Sequence, residues 1–150
     1  MLISQILRKK RSDIVTISPD ATVRSAVSLM KREHVGALPV VDPEDADQQL
    51  LGLISERDII HYLDLAAADL GATRVRRIMR TDGPSATLED TVRSVMEIMT
   101  ATRARHVPVI EFGHLVGIVS IGDVVKSRLD ETIQENSILQ DIARSHWMTG

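Results

Sequence analysis

The sequence predicts a mixed α/β (α+β) fold built from two tandem β-α-β-β-α repeats followed by a C-terminal helix. Three observations carry this. A seven-residue pattern occurs twice, as Gly52-Leu53-Ile54-Ser55-Glu56-Arg57-Asp58 and as Gly117-Ile118-Val119-Ser120-Ile121-Gly122-Asp123. The helical apolar face Val23, Ala26, Val27, Met30 returns 69 positions later as Val92, Val95, Met96, Met99. Thr22-Val23-Arg24-Ser25 recurs letter for letter as Thr91-Val92-Arg93-Ser94, and Pro39 recurs as Pro108 at the same offset. Self-similarity at a fixed offset marks a tandem repeat.

Taken in order, Ser4 to Lys10 reads as a short helix ending in the basic run Arg8-Lys9-Lys10-Arg11. That run is expected to be a solvated helix end, favourably placed against the macrodipole, or a contact for nucleic acid or a membrane surface. Ile14 to Ile17 is a short β-type run closed by Ser18-Pro19-Asp20. Asp20 or Thr22 caps the helix that carries Val23 to Met30. Ala37 to Val41 is a strand whose Pro39 points to an edge or first-strand position. Asp42 to Gln49 is an acidic, turn-rich loop. Leu50 to Ser55 is a buried strand and Glu56 to about Ala68 the helix after it. The chain resets through Gly71, a short helix around Arg74 to Met79, and the turn Thr81-Asp82-Gly83-Pro84. The order then repeats, except that past the loop the offset falls to 65, so Glu111-Phe112-Gly113-His114 makes a tighter hairpin than Asp42 to Gln49. The expected boundaries are 6–69 for repeat one, 70–130 for repeat two and 131–150 for a helical tail. In the tail, Ile133, Leu139 and Ile142 form one face, packed on its own domain or on a second subunit.

At 150 residues the chain fits one domain or two intimately packed halves. A half of about 60–75 residues is marginal for its own core, so the halves are expected to be stable mainly together. Aromatic content of 2% leaves almost no rings on which nucleic-acid bases could stack. A formal net charge of −3 gives no global attraction to phosphate polymers. With no cysteine, disulfides, thiolate metal sites and a Cys nucleophile are excluded. The start has no signal-peptide pattern and no apolar run reaches the length of a membrane span, so the expected location is cytoplasmic. The five histidines (His34, His61, His106, His114, His146) have no His-x-x-x-His or Glu-x-x-His spacing, and no Ser sits in a nucleophile elbow. Neither a metal site nor an enzyme is expected.

In each seven-residue pattern the aliphatic run reads as a buried strand feeding a helix, with Ser as N-cap and Asp near the helix's positive end. One reading is a capping box that binds nothing. The other is a corner where hydroxyl, amide and carboxylate groups meet a small ligand.

Two β-α-β-β-α repeats, each with an aliphatic-Pro-Val strand and Gly-aliphatic-aliphatic-Ser-x-x-Asp, resemble a CBS-domain pair, or Bateman module, of the stand-alone type. The resemblance runs from about Ile6 to Leu129. It implies repeats packed about a pseudo-twofold axis, with two clefts for adenosine-containing ligands: AMP, ADP, ATP, S-adenosylmethionine or NAD(H). By this resemblance, Asp58 and Asp123 accept hydrogen bonds from ribose hydroxyls, and Ser55 and Ser120 sit near the ribose and α-phosphate. Leu53 and Ile118 line the adenine slot. Gly36-Ala37 and Arg105-His106 meet ribose or phosphate, while Ser12-Asp13 and Thr81-Asp82 offer main-chain groups to the adenine edge. The roles are physically apt, since a carboxylate suits a vicinal diol and a guanidinium suits phosphate. The copies differ: Glu56 and Arg57 flank the first motif where Ile121 and Gly122 flank the second. Arg105 and His106 stand where the first copy has Gly36 and Ala37. Unequal binding by the two clefts is therefore expected. The resemblance implies no required cofactor, a regulatory adenine nucleotide, a homodimer formed through the helix bearing Ile59, Ile60, Leu63, Ala66 and Ala67, and a regulated partner protein. The alternative is a ligand-free structural or regulatory subunit.

Overall fold

Each Pro-centred aliphatic run pairs antiparallel with the strand that carries the glycine of the motif. The computed structural model of the chain describes residues 1–10, 13–65 and 69–149. Its elements are α1 (Ile3–Lys10), α2 (Val23–Glu33), β1 (Ala37–Val41), β2 (Leu50–Ser55), α3 (Glu56–Leu65), α4 (Val75–Ile78), α5 (Val92–Thr102), β3 (His106–Glu111), β4 (His114–Ser120) and α6 (Ile121–Thr149). β1 pairs with β2 in the register Pro39 opposite Leu53, and β3 with β4 in the register Pro108 opposite Ile118. The second hairpin turns on Phe112 and Gly113, both at positive φ, the tight two-residue geometry expected there. The longer first loop is closed by the Asp42 and Asp45 side chains, which accept from the amides of Glu44, Asp47 and Gln49.

The β-run expected at Ile14 to Ile17 shrinks to one parallel bridge. Ile17 N–H donates to Pro39 O (3.0 Å) and Val41 N–H donates to Ile17 O (3.0 Å). Extending the ladder toward Val15 would call for an N–H from Pro39, which proline does not have. The second repeat repeats the defect, with Ala86 bridged to Val109 and Pro108 in the same position. Thr22, not Asp20, caps α2, accepting from Ser25 N–H, and Thr91 caps α5 through Ser94 N–H in the same way. Of the helix expected to run to Ala68, the described part ends at Leu65, and 66–68 lie outside the described residues.

The two halves exchange the segments that precede them. α1 packs on the core of the second half, where Ile3 and Ile6 join Val92, Val95, Val107, Val119 and Val124. α4 packs on the first, where Val75 joins Val23, Leu38, Val40, Ile54 and Ile59. Matching bridges, Leu2 to Thr91 and Arg74 to Thr22, hold each segment at the start of the other half's first helix. This pseudo-twofold exchange explains the motif glycines. A Cβ at Gly117 would lie 2.6 Å from Leu7 Cδ1, and one at Gly52 would lie 2.8 Å from Arg80 O. A side chain at Gly52 would push against the Arg80 main chain, and one at Gly117 would displace the end of Leu7.

Among the described residues no helix is long and apolar enough to cross a membrane. α6 is a single helix of 29 residues, about 43 Å long. Its inner half covers the second core through Val124. Ile133, Leu139 and Ile142, each at least 60% exposed, do not pack on the chain's own body.

Candidate functional site: two Asp corners

The two motifs fold into strand-to-helix corners with nearly identical caps. At the first, Ser55 donates its N–H (3.0 Å) and its hydroxyl (2.8 Å) to Asp58 Oδ2, and Asp58 N–H donates back to Ser55 Oγ (3.3 Å). At the second, Ser120 N–H donates to Asp123 Oδ2 (2.9 Å) and Asp123 N–H to Ser120 Oγ (3.1 Å). This is the reciprocal capping box. The leading amide of each helix is also used: Glu56 N–H donates to Gly36 O (3.0 Å) and Ile121 N–H to Arg105 O (2.9 Å). The sequence led us to expect free amides here, and two of the first three at each corner are in fact spent on the fold.

Each carboxylate also takes a cation, and each cation comes from an exchanged segment. Arg80 Nε donates to Asp58 Oδ1 at 2.8 Å, with the arginine side chain 71% exposed and the Asp58 side chain 9%. Lys10 Nζ donates to Asp123 Oδ2 at 2.9 Å and to Ile118 O at 3.1 Å. Sequence reasoning missed both partners. The basic run that holds Lys10 was expected to be a solvated helix end, but Lys10 reaches back into the fold. A readable signal exists, because Ile3, Ile6, Leu7 and Arg8 match Val75, Ile78, Met79 and Arg80 at an offset of 72. That match marks the two segments as equivalents.

The Asp58 corner opens into a cleft of about 430 Å³, within the range of small-molecule pockets. Of the residues expected at the ligand, it is lined by Gly36, Leu53, Ser55, Arg57, Asp58, Thr81, Arg105 and His106. Arg80, Arg103 and Glu56 also line it, so four arginines and two acidic residues border the cleft. Ala37 is buried within β1 and is not part of this lining. Asp13 and Asp82 are exposed and stand outside it. Ser12 lies outside the described residues. Ile118, Ser120 and Asp123 gather at the other corner, around Lys10.

His106 stands between the corners. Its ring lies 3.3 Å from where a Cβ on Gly36 would be. Burial lowers its pKa below the ordinary value; Glu56 and Asp123 pull it up and Lys10 and Arg105 push it down. For Asp123, burial alone would raise the pKa, but the Ser120 amide, the Lys10 ammonium and the Ser120 hydroxyl outweigh it and hold the carboxyl below its usual value. Among the described residues no group of three or more His, Asp or Glu side chains is placed to hold a metal ion.

Paired α-β-β-α halves with exchanged leading segments and a Ser-x-x-Asp corner in each define a tandem-repeat α+β architecture. The profile of the CBS domain family matches residues 3–65 and 75–130, and the chain belongs to that family. A mitochondrial CBS domain-containing protein of Arabidopsis thaliana is 39% identical over 118 residues, which are 77% of this chain and 57% of that protein. A CBS-domain containing protein of Agrobacterium tumefaciens has a crystal structure that superposes with a TM-score of 0.78 at 37% identity, over 85% of this chain and 99% of that one. A CBS domain protein of Pyrobaculum aerophilum, solved in complex with AMP, superposes with a TM-score of 0.73 at 25% identity, over 82% of this chain and 89% of that one.

Proposed function

We propose that this chain is a non-catalytic sensor that binds an adenine nucleotide in the Asp58 cleft and reports its occupancy to a partner protein. The observation that carries this reading is the cleft itself. A nearly buried carboxylate is part of its lining, together with Arg57 from one half and Arg103, Arg105 and His106 from the other. A carboxylate that accepts from a ribose diol and guanidinium groups that accept phosphate charge fit a nucleotide. The AMP complex of the Pyrobaculum relative supports the same class of ligand. With Asp58 matched by Arg80, three arginines remain against Glu56, which favours ADP, ATP or NAD(H) over AMP.

Cytoplasmic location and homodimerisation belong to this reading. Ile60 and Leu63 on α3 and Ile121, Val125 and Leu129 on α6 are all between 46% and 66% exposed, which supports burial against a second copy. Light scattering is expected to give a dimer at micromolar concentration, and a monomer there would remove that part.

The ligand-free subunit has one observation in its favour: both carboxylates already close a cap and hold a cation. A thermal-shift panel on nucleotide-free protein separates the readings. ATP at a hundred times its dissociation constant should add about 2.7 kcal/mol, a rise of roughly 5–10 °C. No rise with AMP, ADP, ATP, NAD(H) or S-adenosylmethionine at millimolar concentration would leave the ligand-free subunit.

A further inference from the structure

We infer that Lys10 is a built-in occupant of the Asp123 corner, which keeps a ribose out of it and limits the chain to one nucleotide, bound at Asp58. The inference rests on the nucleotide reading above and adds to it how many ligands bind and what decides the number.

The ammonium makes two bonds at once, to Asp123 Oδ2 and to the carbonyl of Ile118. The carboxylate is the one that the resemblance assigns to a ribose, and the carbonyl belongs to Ile118, the residue it assigns to the adenine slot. A ribose diol offers neutral hydroxyl donors, whereas Lys10 offers a full charge. Either donor would make a charge-assisted bond to the ionised carboxylate, but only the ammonium neutralises it and bonds the Ile118 carbonyl at the same time, so a diol would have to displace an ion pair. Nor is Lys10 a stray surface cation. Its helix is fixed at the far end by buried Ile3 and Ile6, by Ile3 N–H donating to Asp90 O (2.9 Å) and by Ser4 N–H donating to Leu88 O (3.1 Å). In the middle, the end of the Leu7 side chain packs closely over Gly117. The Lys10 side chain is 33% exposed.

Arg80 makes the same kind of ion pair but is held differently. Its main chain, not its side chain, closes the edge of β2, exchanging hydrogen bonds of 2.9 Å with both N–H and C=O of Leu53. The side chain touches Asp58 through Nε alone and is 71% exposed. It can turn out toward a phosphate without uncovering a backbone group. If Lys10 left, by contrast, both the Ile118 carbonyl and the Asp123 carboxylate would lose their ammonium partner.

The test is calorimetric titration of nucleotide-free protein with ATP, comparing the wild type with Lys10→Met, which keeps the apolar stem and deletes the charge. The wild type is expected to bind one ATP per chain, Lys10→Met two, and Lys10→Met combined with Asp58→Asn two, with the Asp58 site weakened about ten- to a hundred-fold. Two ATP per wild-type chain, or one per Lys10→Met chain, would overturn the inference while leaving the nucleotide reading intact. No uptake by either protein would overturn both. The ion pair has its own readout, the NMR titration of the Asp123 carboxyl carbon. Its midpoint should rise in Lys10→Met, and an unchanged midpoint would mean that Lys10 does not hold the corner. Lys10→Gln serves for the same measurements should the Met variant fail to fold.

Discussion

The corners at Asp58 and Asp123 have the same motif, the same cap and the same kind of ion pair, yet one borders a cleft lined with arginines and the other is filled by a lysine. The difference does not come from the motif. It comes from the segment that each half lends to the other: the first corner receives a backbone bridge and a free-swinging guanidinium, the second an ammonium on a packed helix. The repeated motif thus sets the local hydrogen bonding, and on the reading proposed above the exchanged segment sets whether a ligand can use it.

The largest expected effect tests that split directly. Asp58→Asn should weaken ATP binding by about 1.5–3 kcal/mol, the scale of hydrogen bonds to a charged group, which is roughly ten- to a hundred-fold. Asp123→Asn should leave ATP affinity unchanged in the wild type. Both should lower stability by about 1 kcal/mol through the damaged cap. Crossing Asp58→Asn with 2′-deoxy-ATP should give non-additive losses, because each change removes the same bond. Equal losses at the two positions would erase the distinction between the corners.

Alanine at the motif glycines compares the exchanged segments themselves. Gly52→Ala and Gly117→Ala should each destabilise by about 1–3 kcal/mol, the range for overpacking. Gly52→Ala should cost more, since its new methyl meets the Arg80 carbonyl, a main-chain atom, as well as Met79, whereas at Gly117 it meets the end of Leu7. Denaturant midpoints decide this, and the reverse order would mean that α1 is held more rigidly than the Arg80 bridge.

Charge in the open cleft should act more gently. Arg105→Ala should weaken ATP by about 0.5–1 kcal/mol, the scale of exposed charge pairs, and AMP by less. ATP affinity should also fall more steeply with salt than AMP affinity. Equal losses for the two nucleotides would place Arg105 away from the outer phosphates.

Most of the architecture was legible because the repeat is in the letters: helical faces and Pro positions at one offset, motif corners at another. The β-run at Ile14 to Ile17 was overread because β-propensity is local, whereas the donor that the ladder lacks belongs to Pro39. The capping box was legible for the same reason that Ser-x-x-Asp is, its partners being three residues apart. Lys10 and Arg80 were not, because each lies 113 or 22 positions from its carboxylate and reaches it only through the exchange of segments. His106 was expected at the ligand from its position before Pro108, but nothing in the letters showed that it would face both corners.

The smallest effect concerns His106, whose counterpart in the first half is Ala37. Burial holds its folded pKa below 6.5, so the unfolded chain takes up the proton first as pH falls. Its stabilising contribution is therefore complete above about pH 6.5, declines as pH drops through that value, and levels off below the folded pKa. His106→Gln should remove this part of the pH dependence and leave the high-pH stability of the fold nearly unchanged. The groups that face the ring are Glu56, Asp123, Lys10 and Arg105, and a bound phosphate would add negative charge among them. ATP binding near pH 6 should then draw a proton onto His106. In calorimetry that appears as a binding heat that varies with the ionisation enthalpy of the buffer, and it should vanish in His106→Gln. If the heat in the wild type does not depend on the buffer, the phosphates lie away from His106, and the ring serves only to fill the seam where the other half has a methyl group.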